Sequence, residues 1–166
     1  MAVRLIVLEK ADFKKEGIFE KSAVKNGQIH NEYRYSIINN KILFPMILHI
    51  TNRQDWELAN QIGEYIPASL KSDGFIHCST LKQTVDTANL FFKGQTGLVL
   101  LCIDENKLTA VCKYEDPAGK GPVKHDPRPD NHFPHIYGPI NLASVVKVVD
   151  FPANVNGYFE LPDEIK

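Results

Sequence analysis

Residues 46–94 read MILHITNRQDWELANQIGEYIPASLKSDGFIHCSTLKQTVDTANLFFKG, and this stretch decides the fold. It carries one local design twice: a short apolar run, a histidine, a hydroxyl residue, then a helix-forming segment closed by glycine. In the first copy MILHIT (46–51) is a strand candidate with His49 near its end. Thr51 and Gln54 have capping-box spacing, Trp56, Ala59 and Ile62 recur at helical intervals, and Gly63 is the natural stop. In the second copy a linker with Pro67 and a turn at Ser72-Asp73-Gly74 lead into the strand candidate GFIHC (74–78). Ser79 and Thr80 then open a helix with Leu81, Val85, Ala88 and Phe92 on one face and Gly94 at its end.

Beyond Gly94 the pattern turns to strand. GLVLLCI (97–103), TAVCKYE (109–115), HIYGPI (135–140), SVVKVVDF (144–151) and GYFEL (157–161) are the candidates, with DENKL (104–108) as a short turn or helix. Two helices early and several strands later make the class α+β, with a mixed or mainly antiparallel sheet. The main α+β domain is therefore expected over 46–166. Residues 1–45 are an N-terminal extension that echoes the C-terminal half: LIVLEKADFKKEGIFE parallels LVLLCIDENKLTAVCKYE, and YRYSIIN parallels HIYGPIN. Chance likeness of short strand-turn-strand segments and a degenerate partial duplication both account for this. Either way these residues are expected to add strands at a sheet edge.

The chain has 166 residues, enough for one domain with an appendage, and its 43% hydrophobic and 23% charged residues are ordinary globular usage. A net charge of −1 makes no case for wrapping nucleic acid. Three cysteines, Cys78, Cys102 and Cys112, form no CxxC pair and read as free buried thiols in a reducing compartment. No run approaches the roughly 20 apolar residues of a membrane span, and the N-terminal apolar run is too short for a signal peptide. The expectation is a cytoplasmic protein with no membrane partner.

His49 and His77 each stand at a strand end beside a helix N-terminus, where an imidazole can reach a cleft and a phosphate can be received. Alone, either would read as a core histidine bonded to backbone; the repeated placement argues for more. FPHIYGP (133–139) is stiffened by Pro134 and broken by Gly138-Pro139, and strand alternation puts His135 and Tyr137 on one face. Glu115 ends a strand just before the segment EDPAGKGPVKHDPRPDNHFPH, which holds five of the ten prolines. The loop 116–133 is expected to be a flap over the pocket, with a neutral insertion as the alternative. His125, His132 and His135 lack metal-ligand spacing, so no metal is expected. Glycine-rich phosphate loops and the GxSxG elbow are absent from the sequence.

Taken together, HIT, DGFIHCST, LVLL-x-ID, YE and FPHIYGPIN resemble the family called domain of unknown function 952, over roughly residues 46–150. The sequence departs from that family after Glu115, where a short basic link is replaced by the proline-rich insert. The family in turn looks like a distant member of the ADP-ribosyltransferase-like fold, which includes RNA 2′-phosphotransferases; HCS is similar to their second-strand His-x-Ser element. The resemblance implies a transferase or hydrolase acting on an NAD- or ADP-ribose-like, or 2′-phosphorylated, ligand, with NAD as a substrate and no metal. It implies Glu115 as catalytic carboxylate and His77 beside it. His49 and Ser79 would contact ribose or phosphate, with His135 and Tyr137 lining the pocket. A non-catalytic module binding a nucleotide-like ligand and a structural or interaction domain are the alternatives.

Overall fold

The computed structural model describes residues 17–25, 28–38, 41–43, 46–117 and 132–165. The chain divides into two compact units, Met1–Pro45 and Met46–Lys166. In the first, β1 (Gly17–Lys25), β2 (Gln28–Ile38) and β3 (Lys41–Leu43) form an antiparallel sheet in chain order. A bulge interrupts the β1–β2 register between Lys21 and Ser22. These strands make a sheet of their own, where the sequence suggested additions to the edge of a larger one.

The second unit is built on β4 (Met46–Asn52), β7 (Leu98–Asp104) and β11 (Val145–Asp150), in the order β11-β7-β4. A second sheet has the order β6-β9-β8, from β6 (Ile76–His77), β8 (Val111–Glu115) and β9 (Phe133–Tyr137). Two short strands, β5 (Glu64–Tyr65) and β10 (Ile140–Asn141), pair with each other. Every pairing among the described residues is antiparallel. The two larger sheets are joined at the segment following β6. Leu48 and Ser79 exchange both backbone hydrogen bonds at 2.8 Å, while the Cys78 N–H donates to the Pro134 carbonyl at 2.9 Å. Residues 76–79 therefore pair with β9 at one end and with β4 at the other.

All seven residues of β7 are buried, because both faces of this central strand are covered. On one face Ile47, Val99, Leu101 and Ile103 meet Ala59 of α1 (Arg53–Ile62), Tyr65, Ile76 and Ile136. On the other, Leu48, Ile50, Leu98, Leu100 and Cys102 meet Ala88 of α3 (Leu81–Phe91), Phe151 and Phe159. Each fully buried leucine or isoleucine contributes about 1.5–3 kcal/mol of transfer free energy, so a charge on β7 would damage one core or the other.

Three local expectations differ from the structure. Thr51 does not cap α1: β4 continues through Asn52, which is the N-cap, and the Thr51 hydroxyl lies 2.8 Å from Tyr65 Oη. The segment at Pro67 forms a short helix, α2 (Ala68–Ser72), which turns the chain into β6. The GYFEL tail is not a strand. Asn89 of α3 stands in for a strand partner, its Oδ1 accepting the Phe159 N–H at 2.7 Å and its Nδ2 donating to the Phe159 carbonyl at 3.2 Å. Most of the expected flap, residues 118–131, lies outside the described residues. Among the described residues no helix is long and apolar enough to cross a membrane.

Candidate functional site

The β6-β9-β8 sheet has two chemically distinct faces, set by strand alternation. Ile76, Ile136 and Cys112 are in register and point into the core. The neighbouring row is His77, His135 and Lys113, also directly opposite one another across the three strands. Glu115 and Tyr137 lie on this second face, two residues along β8 and β9.

His135 sits at the centre of the row and is 1% exposed despite facing away from the core. Phe75 covers it, with ring centroids 4.2 Å apart and planes at 28°. The His77 ring meets its edge at 5.3 Å, and Tyr137 flanks Phe75 at 5.5 Å. Glu115 Oε2 accepts the Tyr137 hydroxyl at 2.5 Å and lies 3.4 Å from His135 Nδ1. Lys113 Nζ stands 4.6 Å above the Tyr137 ring, a cation–π contact. His77 is half-exposed, with its Nε2 3.2 Å from Asp73 Oδ2.

The electrostatics follow from these contacts. The Tyr137 hydroxyl, with His135 second among the favourable partners, holds the Glu115 carboxyl below its ordinary range. The same hydrogen bond pushes the Tyr137 phenol up. Burial lowers His135, against the pull of Glu115. At neutral pH the face thus offers an ionised carboxylate, held by a phenol and an uncharged imidazole and open to solvent on one side.

His49 and Ser79 do not join this group. The His49 side chain points from β4 toward α1 and is fully committed: Nδ1 lies 2.7 Å from the His77 carbonyl and Nε2 2.9 Å from Tyr65 Oη. Burial depresses its pKa to about 4, so the ring is neutral. Nδ1–H must donate to the carbonyl, Nε2 must accept from Tyr65, and Thr51 then donates to Tyr65 Oη. His49 therefore fixes the backbone of His77. Ser79 Oγ points toward α3, donating to Thr87 Oγ1 at 3.2 Å.

Sequence reasoning missed Asp73 and Tyr65, both of which hold a histidine. Asp73 read only as a turn former, and the position of Tyr65 after a helix stop carries no spacing signal. Cys78, Cys102 and Cys112 are free, and burial raises all three thiols, Cys112 to about 12. They are protonated at neutral pH and poor nucleophiles. Among the described residues no group of three or more His, Cys, Asp or Glu is placed to hold a metal ion.

Comparison with known proteins places the chain. Residues 50–148 match the family described as "Protein of unknown function (DUF952)". The crystal structure of protein CC0527 from Caulobacter crescentus is similar, with 30% sequence identity and a TM-score of 0.60, covering 72% of this chain and 97% of that one. The solution structure of CC0527 gives a TM-score of 0.53 at 30% identity, over 72% of this chain and 96% of that one. No curated protein matches the sequence. The chain belongs to the DUF952 family of proteins of unknown function.

Proposed function

We propose that the chain acts on an NAD- or ADP-ribose-like ligand, as a transferase or hydrolase, on the face formed by His77, His135, Glu115 and Tyr137. The observation that carries this reading is Glu115, a half-buried carboxylate kept ionised by Tyr137 and His135 at the edge of an aromatic wall. Cleavage of an N-glycosidic bond develops positive charge at the sugar carbon, and a preorganised carboxylate stabilises it. Phe75 and Tyr137 supply surfaces for a flat ring. The resemblance to the ADP-ribosyltransferase-like fold and its 2′-phosphotransferases supports the same ligand class. Free thiols fit a cytoplasmic setting.

A thermal-shift screen with NAD, ADP-ribose, mononucleotides and 2′-phosphorylated RNA tests the reading, since a ligand that binds the folded state raises the midpoint. An enzyme should lose turnover and keep binding in Glu115→Gln. A non-catalytic module would bind without turnover in either form. No shift with any of these compounds would refute the ligand class.

A further inference from the structure

Asp73 and His77 stand on either side of the turn between α2 and β6, and both side chains are half-exposed. An exposed pair contributes little to stability, yet this one is built on fixed parts. Asp73 closes α2, its N–H donating to the Ser69 carbonyl at 2.8 Å. The His77 carbonyl accepts from His49 Nδ1 at 2.7 Å. The His77 ring is in edge contact with Phe75 at 4.7 Å and with His135 at 5.3 Å. Asp73 Oδ2 lies 3.2 Å from His77 Nε2. A carboxylate only accepts, so Nε2 carries a proton and, on the neutral ring, Nδ1 carries the lone pair. Among the described residues nothing hydrogen-bonds to Nδ1. His49 and His135 are buried, so His77 is the one imidazole of these three that solvent reaches.

We infer that Asp73 and His77 work as a carboxylate–imidazole dyad: Asp73 positions the ring, and His77 Nδ1 takes the proton of the water or hydroxyl that attacks the sugar carbon. The inference rests on the transferase or hydrolase reading above and adds the general base that reading lacks. Glu115 already accepts the Tyr137 hydroxyl and is suited to meeting positive charge at the carbon. His135 stands between the two groups, its ring 5.3 Å from that of His77 and its Nδ1 3.4 Å from Glu115. Base and carboxylate are thus spaced by one imidazole on a single face of the sheet. In the step, the acceptor oxygen bonds to the sugar carbon as the carbon–nitrogen bond breaks. The electron pair of that bond goes to the leaving ring nitrogen, and the acceptor proton goes to His77 Nδ1. Asp73 offsets the charge of the protonated ring, as the third group of a triad does. His77 then returns the proton to solvent, which its exposure allows.

Diethyl pyrocarbonate acylates unprotonated imidazole nitrogens and so probes the dyad in the full chain without any substrate. At pH 8, where an ordinary imidazole is uncharged, acylation of His77 is followed by peptide mass spectrometry. Its rate should fall at least about threefold in Asp73→Asn, the scale of one hydrogen bond to a charged group. Asp73→Glu should recover most of that loss. An unchanged rate in Asp73→Asn, or no recovery in Asp73→Glu, would overturn the positioning role. Should a variant fail to fold, nitrogen-15 NMR of the unaltered protein decides the matter: the neutral His77 ring should hold its proton on Nε2, and a proton on Nδ1 would refute the base. The proton-transfer step is read from nicotinamide release from NAD. His77→Ala should lower turnover at least about a hundredfold, and free imidazole in solution should restore part of it. Loss without rescue would leave His77 a structural role only. NAD binding without turnover by the unaltered chain would overturn the step and leave the ligand reading standing. A chain that passes the acylation and tautomer tests but binds none of the screened compounds would refute the ligand class and keep the dyad.

Discussion

His49 and His135 show how one residue type takes two roles through its surroundings. His49 is closed in by the His77 carbonyl and Tyr65, with no face left for a ligand. Its consequence is for stability. Between pH 6.5 and about 4 an unfolded chain protonates this ring while the folded chain does not. The unfolded state then binds more protons, so stability falls as pH falls, by a total approaching about 3 kcal/mol, and the loss ends near pH 4. Urea unfolding at pH 7.5 and 4.5 should show this drop, and His49→Leu should show a smaller one. Tyr65→Phe leaves Nε2 of His49 unpaired in the core and should cost about 1–3 kcal/mol by the same measurement. At the site, Tyr137→Phe removes the main cause of the low Glu115 pKa. The carboxyl titration of Glu115, followed by carbon-13 NMR, should move upward in that variant; an unchanged titration would remove Tyr137 from its assigned role.

At the scale of elements, the N-terminus of α3 ties the two sheets to the site. Gln83 Oε1 accepts the Thr80 N–H at 2.9 Å, and Gln83 Nε2 donates to the His132 carbonyl at 3.0 Å. One side chain thus caps the helix and anchors the residue before β9. Gln83→Ala should destabilise the fold by about 1–2 kcal/mol, read from the midpoint of chemical unfolding. Gly63 closes α1 at φ 91°, its N–H donating to the Ala59 carbonyl, and delivers the chain into β5 with Tyr65 turned toward His49. A side chain is accommodated sterically there, so Gly63→Ala should cost about 1 kcal/mol from backbone conformation alone.

For the whole molecule, residues 46–166 form one compact unit, and the two buried clusters among the described residues lie within it. A chain of residues 46–166 should therefore unfold cooperatively by itself, with a melting temperature within a few degrees of the full protein; a fragment without a sigmoidal transition would show that residues 1–45 are needed. Local patterns in the sequence were sufficient for β4, α1, α3, β7 and the shared face of His135 and Tyr137 on β9. Periodicity, glycine stops and strand alternation act between residues a few positions apart, so His135 and Tyr137 could be placed on one face before any fold was known, whereas Glu115 was joined to them only by the family resemblance. Tertiary structure alone decided that His49 turns inward to Tyr65, that Phe75 lies on His135, and that Asn89 of α3 pairs with the tail in place of a strand. Each of these depends on register between segments far apart in the chain, such as His77 opposite His135 and Leu48 opposite Ser79. That register is fixed by which apolar residues share a core, an outcome of the chain packing as a whole that no local window of sequence contains.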